Sequence, residues 1–249
     1  MGGAIARGIA HSTGYVLTVS SPNRHGELDS LKSQFQLINV STHNVDAALG
    51  ADIIIIAVKP WLIDTVMEEL KGAIDPSRQM LASVVAGIDL DHLAGYAAAD
   101  AHFAVFRIIP NIAIAYGQSM TFISAKNASE SQINAVSGIF ATMGKVQVVE
   151  ERLMGAGTAL ASCGIAYAMR YVRAAMEGGI ELGFPASQSL EIVLQTLVGA
   201  LAMLEGSGDH PEAAIDRVTT AGGITIRGLN AMESHGFTAA VIEGLRASK

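Results

Sequence analysis

Between Asp216 and Leu229 the chain reads Asp-Arg-Val-Thr-Thr-Ala-Gly-Gly-Ile-Thr-Ile-Arg-Gly-Leu. Two hydroxyl residues, Thr219 and Thr220, precede a glycine pair, and Thr225 falls where an apolar helical pattern resumes. The pattern predicts a loop feeding a helix N-terminus. Gly222 and Gly223 let the backbone take φ > 0 and come close to a ligand. The unpaired N–H groups of the first helical turn, at the positive end of the helix dipole, suit a carboxylate. Thr220 adds a hydroxyl beside them, and Ile224 supplies a further backbone donor. Thr225 offers a neutral donor and acceptor to a ligand, or else caps the helix. A small amino-acid-like acid would fit such a cradle.

A second set of unusual residues follows apolar runs in the first half: Val58-Lys59-Pro60, Val85-Ala86-Gly87 and Ile109-Pro110-Asn111. In an open α/β sheet the ligand lies beyond the carboxyl ends of the strands. Lys59 directly after a buried strand either reaches solvent along its stem or faces a cofactor. Pro60 stops the chain there and favours the second role. The turn Ser20-Ser21-Pro22-Asn23-Arg24 ends another strand. Hydroxyls plus an arginine at that place suit a ribose 2′-phosphate, where an acidic residue would suit a free 2′-hydroxyl. Ser21 and Arg24 therefore point to NADP(H), with NAD(H) as the alternative, or else form an ordinary turn with a solvated arginine. Other chemistry is thin. The seven histidines are too dispersed for a helical metal pair, and a single cysteine, Cys163, excludes cysteine-rich zinc sites. No metal site is expected, and Cys163 reads as a structural thiol.

The elements that must position these residues fall into two grammars. Up to about residue 150, β-rich runs alternate with amphipathic stretches; the runs are Val16 to Val19, Ile53 to Val58, Met80 to Val85, Ala104 to Ile108 and Val146 to Val149. Asp46 to Leu49 and Leu62 to Leu70 are the helical candidates between them. Ile53 to Val58 is apolar without alternation, as a parallel strand covered on both faces would be. The first half is thus a doubly wound α/β domain over 1–150. Beyond it, Leu153 to Leu182 and a stripe of Leu190, Val193, Leu194, Leu197, Leu201 and Leu204 read as long helices, followed by two short ones. A helical domain of ~100 residues with so much apolar surface would be marginal alone. Residues 151–249 are therefore expected to form an intertwined dimer interface, the alternative being that the stripe packs on the α/β half.

Bulk properties agree. Half of the 249 residues are hydrophobic, 16% are charged, and the net charge is -7. That balance supports a sizeable core and gives no electrostatic footprint for nucleic acid or an anionic membrane. Uninterrupted apolar runs are far shorter than a membrane span. The lone cysteine and the lack of a signal-peptide pattern place the expected compartment in the cytoplasm.

The Gly-Gly-x-Thr segment resembles the C-terminal signature of pyrroline-5-carboxylate reductases. The resemblance extends over nearly the whole chain, through Ala57-Val58-Lys59-Pro60, Ser83 to Ile88, Arg107 with Pro110-Asn111, and Leu182-Gly183-Phe184-Pro185. It implies a Rossmann-like domain followed by an all-helical dimerisation domain. It also implies NADPH-dependent reduction of 1-pyrroline-5-carboxylate to L-proline by a homodimer, or an oligomer of dimers. In that family the Ala57 to Pro60 loop, Val84, Val85 and Ala86 line the cofactor site; Asn44 falls at a cofactor contact, though alone it reads as a helix N-cap. Thr225 would hydrogen-bond the imine nitrogen, and Thr220 with Gly222 to Ile224 would hold the carboxylate. Met1 to Ala6 resembles only the last part of the family's Gly-x-Gly-x-x-Gly/Ala turn, so Gly2 takes the final glycine position. The first strand and first two glycines are absent, which predicts a late-assigned start and weakened NADPH affinity. Departures from the family pattern at Ala161 to Tyr167, Ile112-Ala113 and Ala221 leave a related cyclic imine as an alternative substrate, and a non-catalytic dimeric remnant as an alternative to an enzyme.

Overall fold

Runs of four isoleucines form a strand here because both of their faces are covered. The computed structural model of the protein describes residues 1–12, 14–23, 25–96 and 102–249, and the chain divides into two units, Met1–Thr158 and Ala159–Lys249. The first unit runs α1 (Gly2–His11), β1 (Thr18–Ser20), α2 (His25–Gln34), β2 (Asn39–Ser41), α3 (Asn44–Ala48) and β3 (Ile53–Ile56). After a 3₁₀ turn, Pro60–Leu62, come α4 (Ile63–Leu70), β4 (Met80–Ser83), α5 (Leu90–Gly95) and β5 (Val105–Ile109). A second 3₁₀ turn, Ile112–Tyr116, leads to β6 (Ser119–Lys126), α6 (Glu130–Ala141) and β7 (Gly144–Val148); the 3₁₀ turn Glu151–Leu153 and α7 (Met154–Gly157) close the unit.

Alternation along the strands sorts the core into two layers. Met80, Ala82, Phe106 and Ile108 face one side of the sheet, where Ile5 and Ile9 of α1 and Val136, Ile139 and Phe140 of α6 cover them. Ile54, Ile56, Leu81 and Val105 face the other, against Ile63, Met67 and Leu70 of α4 and Leu90 and Leu93 of α5. The spacing of Ile63, Met67 and Leu70 is the apolar stripe of a helix laid on a sheet. β3, β4 and β5 are parallel neighbours, with Ile54 opposite Leu81 and Ala82 opposite Phe106. β1 and β2 pair in parallel as a separate two-stranded sheet, Val19 opposite Val40. Ala6 of α1 packs into a third cluster with Leu31 and Ile38, so α1 contributes to the cores beneath both sheets.

Two strands were not foreseen. β2 is only three residues long and carries two polar side chains, which hides its pattern. β6, the longest strand, mixes Ser, Met, Thr, Phe, Ile and Ala, and its first five positions alternate buried and half-buried. It runs antiparallel to β5, Phe106 opposite Ala125, and parallel to β7. The β5–β6 connection, Pro110 to Gln118, is too short for the crossover that a parallel pair needs. The sheet is therefore mixed at this edge rather than wholly parallel.

The second unit is all helix: α8 (Gly164–Glu181), α9 (Ala186–Ser207), α10 (Pro211–Arg217), α11 (Ile224–Ser234) and α12 (Phe237–Arg246). The long pattern from Leu153 is broken by a π-helical segment, Thr158–Cys163, ahead of α8. Three helices, not two, follow Pro211. Gly183, with φ of +104°, ends α8 and Pro185 precedes α9. α8 and α9 approach closely at Gly179, where a Cβ would stand 2.2 Å from Ser189 Oγ. The Ser189 hydroxyl in turn donates to the Met176 carbonyl at 2.8 Å. Tyr167 of α8 donates to the Gly244 carbonyl of α12 at 3.1 Å.

Candidate active site

The first half-site lies along the carboxyl ends of β1 to β5. β3 delivers the chain into Ala57, Val58, Lys59 and Pro60, of which Ala57, Lys59 and Pro60 are exposed. The Lys59 carbonyl accepts from the Leu62 N–H at 2.9 Å, closing the 3₁₀ turn, while its ammonium has no partner among the described residues. That leaves a positive charge available at a strand end, as a dinucleotide phosphate requires. Beside it, α1 begins so close to β3 that a Cβ on Gly2 would stand 3.1 Å from the Ala57 Cβ. Glycine at this place lets the first turn of α1, with its unpaired N–H groups, meet the strand end. The residues present thus fit a dinucleotide's phosphates.

β4 ends in Ser83, whose buried hydroxyl accepts from the Val85 N–H at 3.2 Å. Val84 donates back to the Ile56 carbonyl at 3.0 Å, so Val84, Val85 and Ala86 continue the edge formed by Ala57 and Val58. Gly87, at φ of +81°, turns the chain away, and Asp89 then caps α5 by accepting from the His92 N–H at 2.8 Å. At the end of β5, Pro110 and Asn111 are buried. Asn111 accepts from the Ala113 N–H at 3.0 Å as the cap of the following turn, and its own N–H donates to Ser119 Oγ at 3.2 Å. Its side chain thus shapes the turn. Arg107, also of β5, reaches Glu151 Oε1 at 3.2 Å, the same oxygen that accepts from the Leu90 N–H at 2.8 Å.

At the β1 end, Ser21 is half-buried and its N–H donates to the Ser41 carbonyl at 3.3 Å. Arg24 lies outside the described residues. Asn44 is the first residue of α3 and not its cap, which is His43. Its amide instead links Ser20 Oγ, at 2.9 Å, to Glu69 Oε2, at 2.6 Å. Ser20 belongs to the hydroxyl-bearing turn already noted, whereas Glu69 carries no sequence signal that singles it out; only the folded contacts join both to Asn44.

The second half-site is the Thr219 to Ile224 loop and α11. Gly222 has φ of +69°, the left-handed conformation expected of it, whereas Gly223, at φ of −67°, does not adopt it because it is already the extended N-cap of α11. Gly223 is the N-cap of α11, with no side-chain cap, and a Cβ there would stand 2.5 Å from Thr220 Oγ1 and 2.9 Å from the Thr220 carbonyl oxygen. The Gly223 N–H donates to that carbonyl at 2.9 Å. It is therefore not a free donor, and the first-turn amides of Ile224 and Thr225 are the ones left. Thr225 does not cap the helix; it is exposed, and its hydroxyl has no partner among the described residues. Thr219 bonds back to the Ile215 carbonyl. Arg227, which no sequence motif marks, donates from Nη2 to the Gly222 carbonyl at 2.9 Å. Helical side chains lean toward the N-terminus, which is how an arginine one turn into α11 reaches the loop. Among the described residues, no cluster of three His, Cys, Asp or Glu could hold a metal.

Comparison with known proteins gives both halves relatives. Residues 151–249 match the family model for pyrroline-5-carboxylate reductase dimerisation, and residues 1–87 match that for NADP oxidoreductase, coenzyme F420-dependent. The chain is 34% identical to pyrroline-5-carboxylate reductase 2 of Dictyostelium discoideum, over 98% of this chain and 86% of that protein. It is 32% identical to pyrroline-5-carboxylate reductase of Synechocystis, over 98% and 90%. A solved structure of a pyrroline-5-carboxylate reductase from Coxiella burnetii superposes with a TM-score of 0.91 at 26% identity, covering 99% of this chain and 93% of that one. The Plasmodium falciparum pyrroline carboxylate reductase, solved with NADP bound, gives 0.83 at 25% identity, covering 98% and 90%.

Proposed function

Because the chain belongs to the pyrroline-5-carboxylate reductase family, we infer that it reduces 1-pyrroline-5-carboxylate to L-proline with NADPH. The observation that carries this beyond membership is the unoccupied Thr225 hydroxyl at the head of α11, beside first-turn amides that lack a partner in their own helix. A reduced nicotinamide supplies the hydride that the C=N carbon receives. The protein's task is orientation. On the cofactor side, the Gly2 turn and Lys59 hold the phosphates, while Ala57, Val58, Pro60, Val84, Val85 and Ala86 line the edge. Ser21 with Arg24 takes the 2′-phosphate, and Pro110 with Asn111 sets the far wall.

On the substrate side, the carboxylate meets the first-turn amides, the Thr220 hydroxyl and the positive end of α11. Arg227 fixes Gly222 and adds positive charge close by. Thr225 hydrogen-bonds the ring nitrogen. A protonated imine is already electrophilic, so the absence of a strong acid among these groups is no obstacle.

The homodimer rests on the second unit. In the single chain only Ala159 and Ser189 of that unit are buried, whereas Leu194, Val198 and Leu201 of α9 are 48%, 59% and 61% exposed. α9 is also long and apolar enough, at 22 residues, to span a membrane by length and composition alone. The dimerisation match across 151–249 supports cover by a second copy instead. Assembly beyond the dimer and a cytoplasmic location belong to the same reading.

The test is imine-dependent oxidation of NADPH by the purified chain, with proline identified as product, for the five-membered imino acid against its six-membered homologue. We expect turnover of the five-membered ring and a sharp loss in Thr225→Val. Exclusive use of the six-membered ring would overturn the substrate assignment. Full activity in Thr225→Val would remove the role given to that hydroxyl.

A further inference from the structure

Three elements meet at the Asn44 amide. Ser20, the last residue of β1, donates its hydroxyl to Asn44 Oδ1 at 2.9 Å. Glu69, near the end of α4, accepts from Asn44 Nδ2 at 2.6 Å. A carboxylate only accepts and a hydroxyl can donate, so this pair of partners settles which end of the amide is nitrogen. Without the carboxylate, the amide could turn over and present its groups in the opposite order. The 2.6 Å separation is at the short end of the range for charge-assisted hydrogen bonds. No other hydrogen bond of the Asn44 side chain occurs among the described residues, so one amide N–H and one carbonyl lone pair stay available.

We propose that Glu69, with Ser20, is a positioning residue for the cofactor: the two hold the Asn44 amide in the one orientation that presents its remaining donor and acceptor to the dinucleotide. This rests on the reading of Asn44 as a cofactor contact. The network sits at the β1 terminus, where the adenosine end of a dinucleotide is recognised in folds of this type. A free carboxylate so close to a phosphorylated ribose would repel it. Engagement with Asn44 ties the Glu69 oxygen to the start of α3 and makes use of its charge there. The residue therefore acts through Asn44 and does not itself touch the cofactor.

The test uses the full-length protein and NADPH as the probe. The chain has one tryptophan, Trp61, which is 76% exposed in the turn directly after Lys59-Pro60, so its emission reports binding without any turnover. NADPH dissociation constants are measured for the wild type, Asn44→Ala, Glu69→Ala, Glu69→Gln, Ser20→Ala and the Asn44→Ala/Glu69→Ala pair. Glu69→Ala should weaken NADPH by about 3- to 10-fold, and Glu69→Gln, which keeps an acceptor, should recover part of it. Ser20→Ala should move in the same direction from the opposite end of the amide. The double variant should bind no worse than Asn44→Ala alone. The imine KM and the melting temperature should stay constant across the Glu69 series.

Additive losses in the double variant would overturn the proposal, as would equal affinity in Glu69→Ala and the wild type. So would a loss in Glu69→Ala that tracks its melting temperature. If Asn44→Ala itself binds normally, the cofactor contact and the proposal fall together, while imine turnover by the wild type leaves the functional reading standing. If the wild type binds NADPH yet never turns over the imine, the functional reading fails and the positioning result is still decided by the binding series.

Discussion

Replacing Gly223 by alanine isolates the substrate half-site from the fold. Its φ is −67°, so alanine meets no backbone strain there. What it meets is the preceding loop, with the new Cβ 2.5 Å from Thr220 Oγ1 and 2.9 Å from the Thr220 carbonyl oxygen. The hydroxyl can rotate away. The carbonyl belongs to the backbone and also accepts the Gly223 N–H, so the loop itself must open by a few tenths of an ångström. Overpacking of this kind costs about 1 to 3 kcal/mol. At roughly 1.4 kcal/mol per decade, that is about a 5- to 150-fold loss in kcat/KM if the loop must return to its native form to hold the carboxylate. An exposed loop relaxes more readily than a core, so we expect the lower part of that range, about 10-fold. Steady-state kinetics with the imine varied at saturating NADPH gives the value. The loss should fall on the imine, with the NADPH dissociation constant and the melting temperature close to wild type. Gly222 at φ of +69° supplies the control. Gly222→Ala should lose about 1 kcal/mol to left-handed strain, and Gly222→Asn should recover part of it. Wild-type kcat/KM in Gly223→Ala, or a matching loss of NADPH affinity, would refute the assignment of this loop to the substrate carboxylate.

Gly144→Ala should fail in the fold instead, because its Cβ would lie 2.1 Å from the Ser119 carbonyl oxygen at φ of +138°; denaturant unfolding should show a loss above about 4 kcal/mol, and an unchanged midpoint would contradict the register of β6 on β7. Glu151→Ala strips both the half-buried Arg107 guanidinium and the Leu90 N–H of their acceptor. A thermal melt should report about 1 to 3 kcal/mol, and Glu151→Gln should retain part of it. The Tyr96 hydroxyl, and after it the His92 imidazole, hold the Asp64 carboxyl below its usual range. Because that carboxyl is lowered in the folded state, its contribution is present above the ordinary carboxylate range and disappears as pH falls through the lowered value. The melting difference between wild type and Asp64→Asn should therefore shrink on acidification, and a difference that widened would sink the linkage.

Legibility in the sequence followed burial. Ile53 to Ile56 and Met80 to Ala82 were readable because strands covered on both faces form short continuous apolar runs. Leu62 to Leu70 was readable because Ile63, Met67 and Leu70 fall on one helical stripe. β6 was hidden because its polar positions are themselves buried: Ser119, Thr121 and Ser124 are among the least exposed residues of the chain. Ser119 and Thr121 satisfy each other across 3.0 Å, a pairing that only the folded strand creates. At the site, glycine positions were legible since they answer to backbone geometry, as at Gly222. The partners that hold polar groups were not. Glu69 lies 25 residues from Asn44 and Arg227 is an unremarkable helical cation until its direction along α11 is known. The same limit applies to Gly223, whose N–H is engaged by the Thr220 carbonyl in a turn that only the folded loop creates.

The uneven burial of the two units dictates how any substitution in the substrate half must be measured. Among the described residues, the large apolar clusters all belong to Met1–Thr158. α8, α10, α11 and α12 have no buried residue in the single chain, so the helices that carry Thr225 depend on cover from outside themselves. With a second copy as that cover, the stability of α11 follows protein concentration by mass action. A variant such as Thr225→Val could then lose activity through dissociation at assay dilution without any loss of chemistry. The two causes separate cleanly: a chemical loss is the same at every protein concentration, whereas a loss through dissociation recovers as concentration rises. Only a concentration-independent loss supports the role given to the Thr225 hydroxyl.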